Sequence, residues 1–130
     1  MFLGIARGPW SHHETFQVLL RNVAAAHAYQ AAYDIAAAHL GGFGMWDETE
    51  ETLVGEDVVL DLSHTFFWMP HERIGRIIRN HSARRILFGT DSPWQEQSRI
   101  LGAFAELPLS ESDRRAICCE NAMMLFNIKI

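Results

Sequence analysis

The sequence predicts an α/β protein in which parallel strands are joined by helical crossovers. Three observations carry this. Val58-Val59-Leu60-Asp61-Leu62 is a short apolar run with two β-branched residues, as in strands covered on both faces. Ile86-Leu87-Phe88-Gly89 is a second such run. Each is followed by a helix-start signal and a helical stripe, and strands that alternate with helices pair in parallel. On pattern alone, an open doubly wound sheet and a closed barrel both fit.

The elements follow in order. Met1 to Pro9 carries little pattern. The first helix is predicted from Glu14 to Tyr29, where Phe16, Leu19, Leu20 and Val23 recur at helical spacing. Asp34-Ile35-Ala36-Ala37-Ala38-His39 comes next, ended by Gly41-Gly42. Alanine favours helix, but the closing His-Leu-Gly-Gly points to a buried strand. Met45 to Val54 reads as an acidic helix stopped by Gly55. After the 58–62 strand, Pro70 opens a helix with Ile74, Ile77 and Ile78 as its buried stripe and Glu72 with Arg76 as an i,i+4 pair. After the third strand, 86–90, Ser92, Pro93 and Gln95 read as cap, first-turn proline and third-position partner of a helix reaching about Leu107. Ser110 with Asp113 opens a closing helix to about Phe126 that carries Ile117, Met124 and Leu125. Cys118 and Cys119 are expected to be buried small residues on it.

Composition narrows the function. The net charge is −5 and no Lys/Arg run occurs, which argues against a nucleic-acid or anionic-membrane partner. No stretch of ~18 apolar residues is present to span a membrane. Arg7 interrupts the mildly apolar start, and no cleavage signature follows it. Two adjacent cysteines make no disulfide framework and no complete zinc site, so a cytoplasmic location is expected.

In parallel α/β folds chemistry collects at the C-terminal ends of strands. Those ends carry His39, then Asp61-Leu62-Ser63-His64, then Asp91. His and Asp bind divalent metals and move protons. Alternation places Leu87 and Gly89 on the face of Asp91, with Ile86 and Phe88 toward the helices. The bland alternatives are a capping carboxylate for Asp91 and a hydrogen-bonded core histidine for His39. Asp61 reads as a structural inward group bonding its neighbours. His64 and Trp94 are weak substrate-side candidates. His12 and His13 read as a loop pair, and His27, His71 and His81 as helix or helix-end residues. Trp46, Trp68 and Trp94 read first as packing.

Four motifs in this order carry a family resemblance. His39-Leu40-Gly41-Gly42 with Met45-Trp46-Asp47-Glu48 resembles the strand-six segment of amidohydrolase-related enzymes. Val59-Leu60-Asp61-Leu62-Ser63 resembles their strand seven, and Ile86 to Trp94 their strand eight, the most specific of the set. Asn121-Ala122 with Leu125-Phe126 resembles their closing helix.

The resemblance implies the C-terminal portion of a (β/α)8 TIM barrel. One partial domain spans 1–130, with residues 1–33 as lead-in and 34–130 as strands six to eight and their helices. It implies a divalent metal, usually zinc, held by Asp91 and His39, which are also the catalytic candidates. The metal lowers the pKa of a bound water toward ~7 and a carboxylate takes its proton. The implied activity is hydrolysis of amide, ester or lactone bonds in a small-molecule substrate. Non-oxidative decarboxylation is the alternative within the family, and a non-enzymatic half-barrel remnant the alternative outside it. The family's His-x-His pair has no counterpart here, and a whole barrel takes ~250 residues. The chain is therefore expected to be truncated, inactive alone and prone to self-association through open strand edges.

Overall fold

The computed structural model describes Phe2, Leu3, Gln17 and residues 36–129. Among the described residues four short strands form one sheet: β1 Phe2–Leu3, β2 Ala36–Ala37, β3 Val59–Asp61 and β4 Ile86–Leu87. They pair in the order β1-β2-β3-β4, and every pairing is parallel. The register sets Ala37 beside Leu60 and Asp61 beside Leu87. The parallel neighbours expected near 34–39, 58–62 and 86–90 are present. A fourth strand, β1, corrects the reading of Met1 to Pro9 as unpatterned, because a two-residue pairing is too short to leave a periodic signature.

The helices are α1 Trp46–Thr52, α2 His71–His81, α3 Gln97–Ala105, α4 Glu111–Arg115 and α5 Asn121–Leu125, with a π-helical turn over Ala116–Glu120 joining the last two. Gln17 is helical, and the rest of the helix predicted over Glu14 to Tyr29 lies outside the described residues, as do His12, His13 and His27. The α2 stripe is as predicted: Ile74, Ile77 and Ile78 are buried against Leu60, Leu62, Phe66 and Phe104. Phe104 meets Phe88 at 5.0 Å and Phe66 at 6.3 Å between ring centroids, so α3 seals the helix side of β4. Ser110 caps α4 through the Asp113 N–H.

Several local expectations change. Arg76 pairs across to Glu50 on α1 and not with Glu72, because Glu50 offers one carboxylate to both Arg73 and Arg76. That pairing, led by the Arg76 hydrogen bond, holds the Glu50 carboxyl below its ordinary range. The helix predicted to start at Ser92 starts at Gln97. Ser92–Pro93 is cis, and a turn over Ser92–Trp94 closes by donation from the Trp94 N–H to the Asp91 carbonyl at 2.9 Å. Cys118 and Cys119 are exposed, since Ala116 and Ile117 take the buried face of the π turn.

Two buried polar side chains tie the layers together. Asn121 Nδ2 donates to the carbonyls of Ala83 and Ile86, both at 2.7 Å, and so fixes the closing helix to the start of β4. His81, 4% exposed, donates from Nε2 to the Val58 carbonyl at 2.8 Å and accepts at Nδ1 from the Gly55 N–H at 3.1 Å. Gly55 has φ 94°, the left-handed conformation that favours glycine and ends the α1 segment.

Both ring nitrogens of His81 are used in the neutral form. Burial pushes its pKa below the ordinary imidazole value, against the opposing pull of the Val58 carbonyl. With the folded value depressed, the unfolded chain takes up its proton first as pH falls. His81 therefore contributes stability that is full above ~6.5 and lost as pH drops through the depressed value. Thermal unfolding followed from neutral to mildly acid pH is expected to show this loss. His81→Ala should remove that dependence and cost about 1–3 kcal/mol, because it orphans the Gly55 N–H and the Val58 carbonyl.

Candidate functional site

The polar residues converge where β2, β3 and β4 end. After Ala37 the chain turns sharply: His39 (φ 54°, ψ 44°) and Leu40 (φ 56°, ψ 28°) are both left-handed. His64 (φ 58°) and Asp91 (φ 56°) share that region. Non-glycine residues adopt it at a cost of order 1–3 kcal/mol each, and such residues cluster at functional sites. His39, His64 and Asp91 all carry this backbone, while Asp61, within β3, does not.

Two hydrogen-bonded groups form there. In the first, His39 Nδ1 lies 2.8 Å from Ser63 Oγ and 3.2 Å from the Ser63 carbonyl. Ser63 Oγ donates to Asp61 Oδ2, and the Ser63 N–H donates to Asp61 Oδ1 at 3.1 Å. In the second, His64 Nδ1 meets Asp91 Oδ2 at 2.8 Å. The His39 and His64 rings are 5.6 Å apart and join the two groups.

No direct contact joins His39 and Asp91 among the described residues; His64 bonds Asp91 and lies with its ring 5.6 Å from that of His39. The weak candidate is thus the connecting residue, because the left-handed turn after β3 folds its ring back toward β4. Trp94, the other weak candidate, is 71% exposed.

Asp61 is buried and behaves as its structural reading required, bonding its neighbours. Burial raises its pKa above the ordinary carboxylate value, while the two bonds from Ser63 oppose the rise. It fits because Gly89, two residues beyond β4, leaves the space beside it. A Cβ on Gly89 would overlap Asp61 Oδ1 and lie 3.1 Å from Ser63 Cβ.

Aromatic rings wall the second group. Phe43 packs edge-on to His64 at 4.8 Å and to Trp68 at 5.6 Å, and Trp68 stacks on His64 at 6.1 Å with planes 15° apart. Sequence reasoning assigned Trp68 to packing and passed over Phe43 and Ser63. A signal for Ser63 was available: it lies two residues from Asp61, on the same face of an extended chain.

As a metal-holding set, these residues fit in kind but fall short in number. His39 keeps Nε2 without a protein partner among the described residues, and Asp91 supplies a carboxylate. Among those residues no group of three or more His, Cys, Asp or Glu converges on one point. A catalytic zinc site takes three protein ligands and a water.

Gly89→Ala is expected to destabilise the chain by about 1–3 kcal/mol through the clash with Asp61. Adding Asp61→Ala should recover part of that loss, so that denaturant unfolding of the two single variants and the double variant gives a clear coupling between the positions. Additive losses would mean that the two residues do not meet.

The amidohydrolase family model matches residues 8–128. No match is found among curated proteins. Among solved structures, a 2,6-dihydroxybenzoate decarboxylase complexed with 2,6-dihydroxybenzoate is similar with a TM-score of 0.72 at 23% identity, over 92% of this chain and 43% of that one. A dihydroxybenzoic acid decarboxylase from Polaromonas sp. JS666, with bound manganese and the inhibitor 2-nitroresorcinol, gives 0.70 at 26%, over 92% and 42%. An amidohydrolase from Burkholderia multivorans with bound zinc gives 0.65 at 18%, over 88% and 51%. The chain spans less than half the length of these decarboxylases, and its parallel strands and helices correspond to part of their barrel. Matched along nearly its whole length, the chain belongs to the amidohydrolase family.

Proposed function

We propose that this chain supplies part of the site of a metal-dependent enzyme acting on a small aromatic acid by non-oxidative decarboxylation. The observation that carries the proposal is the setting of the His64–Asp91 pair, bonded at 2.8 Å and faced by Phe43 and Trp68. Flat apolar walls beside a few convergent polar groups suit a planar ring with a charged end. The similarity to two dihydroxybenzoate decarboxylases supports the same reading.

In this reading the chain's residues bind, orient and move a proton. Phe43 and Trp68 hold the substrate ring and exclude water. His64 and Asp91 hold one proton between Nδ1 and Oδ2. Loss of carbon dioxide leaves an electron pair on the ring carbon, which must take a proton, and in this reading the His64–Asp91 pair delivers it. His39 Nε2 and the Asp91 carboxylate would hold the divalent metal, zinc or manganese, which when bound supplies positive charge at the substrate's acid end.

Hydrolysis of an amide, ester or lactone is the second reading. The zinc-bound amidohydrolase relative favours it, as does a carboxylate placed to take a proton from water.

With two donors from the described residues, metal retained after dialysis is expected to fall well below one per chain. One tightly held zinc would mean that further ligands complete the set. Assays with manganese or zinc in excess are expected to give slow release of carbon dioxide from 2,6-dihydroxybenzoate, reduced at least ~100-fold by Asp91→Asn. Hydrolysis of an ester or lactone panel with no carbon dioxide release would overturn the decarboxylase reading in favour of the second. Trp68→Ala should weaken binding of the aromatic acid about 2- to 10-fold, the worth of one aromatic contact.

A further inference from the structure

We infer that Asp61 and Ser63 are positioning residues that fix His39 as its Nδ1–H tautomer and leave Nε2 as the basic atom of the ring. The inference deepens the proposed site, since it assigns the atom with which His39 acts.

Two contacts point to this tautomer, and the shorter, stronger one runs through the Ser63 side chain. The Ser63 carbonyl, 3.2 Å from His39 Nδ1, can only accept, so Nδ1 must carry the proton. Ser63 Oγ has a single hydrogen, and that hydrogen goes to Asp61 Oδ2. The hydroxyl can then only accept from His39 Nδ1 at 2.8 Å. The chain of donation runs one way: His39 Nδ1–H to Ser63 Oγ–H to the Asp61 carboxylate.

The base of the chain is well anchored. Asp61 and Ser63 are 7% and 5% exposed, so neither is free to turn toward solvent. The Ser63 N–H holds the other Asp61 oxygen at 3.1 Å. Gly89 leaves the space the carboxylate occupies. A carboxylate that anchors the acceptor of a histidine N–H in this manner fixes the ring's tautomer and plane. Nε2 is then available to a metal, or to a substrate proton, whichever chemistry the site performs.

The test is nitrogen-15 NMR of the imidazole rings in the full chain, about two pH units above the ordinary histidine value of ~6.5. The His39 signals are assigned by their loss in His39→Gln. The wild-type chain is expected to show Nδ1 protonated and Nε2 with a lone pair. Ser63→Ala and, independently, Asp61→Ala should shift the ratio several-fold toward Nε2–H, and Ser63→Thr should restore it. A purely structural role would lower stability and leave the ratio unchanged, which would overturn the inference. So would a wild-type ring protonated at Nε2, a result that needs no variant to fold. The measurement uses no metal and no substrate. Failure of the decarboxylase reading would not move it, and a reversed tautomer would leave that reading standing.

Discussion

A buried carboxylate at the end of β3 is the constraint to which the rest of this site answers. A charge taken out of water costs several kcal/mol unless donors surround it. Asp61 finds two donors in one residue, Ser63, through the backbone N–H and the hydroxyl, and the His39 backbone adds a further hydrogen bond. That satisfaction fixes Ser63, and Ser63 in turn receives His39. The neighbouring strand yields as well, since only a residue without a side chain can stand at position 89. Three elements are thereby adjusted to one carboxylate: the close of β3, the turn after β2 and the extension of β4.

Left-handed backbone is the means of adjustment. His39, His64 and Asp91 each leave their strands with φ between 54° and 58°. A strand continued in the extended conformation would carry these side chains on across the sheet. The abrupt change of hand instead turns them toward one another, which accounts for a 5.6 Å ring contact and a 2.8 Å hydrogen bond among residues from three strand ends. The cost is offset by the packing beneath, where Leu60, Leu62, Ile74, Ile77 and Phe104 are almost fully buried.

The ion pairs of α1 and α2 belong to another part of the molecule. Arg73 and Arg76 converge on Glu50, which is partly exposed, and solvent-screened pairs of this kind contribute little to stability. They orient one helix on the other. The site depends more on the neutral His81, which joins the Gly55 turn to the residue preceding β3 and so helps to place the strand that carries Asp61.

Much of the architecture was legible in the chain. Runs with β-branched residues marked β3, the stripe of Ile74, Ile77 and Ile78 marked α2, and Ser110 with Asp113 marked the start of α4, because each is a local pattern with a local cause. His39 and Asp91 were legible as strand-end residues for the same reason. The brief pairing of Phe2–Leu3 was not, and the helix start after Asp91 was misplaced, because a Ser-Pro-x-Gln cap signal also fits the turn that the chain makes there. Nor was the service of His64 to both neighbours legible, or of Phe43 and Trp68 as its walls. The sequence by itself determined which residues stand at the ends of parallel strands, since periodicity and composition act over a few neighbours. Only the tertiary structure decided which of them meet. Contacts such as His64 with Asp91 span 27 positions and depend on the hand of three separate turns, which no short window of residues encodes.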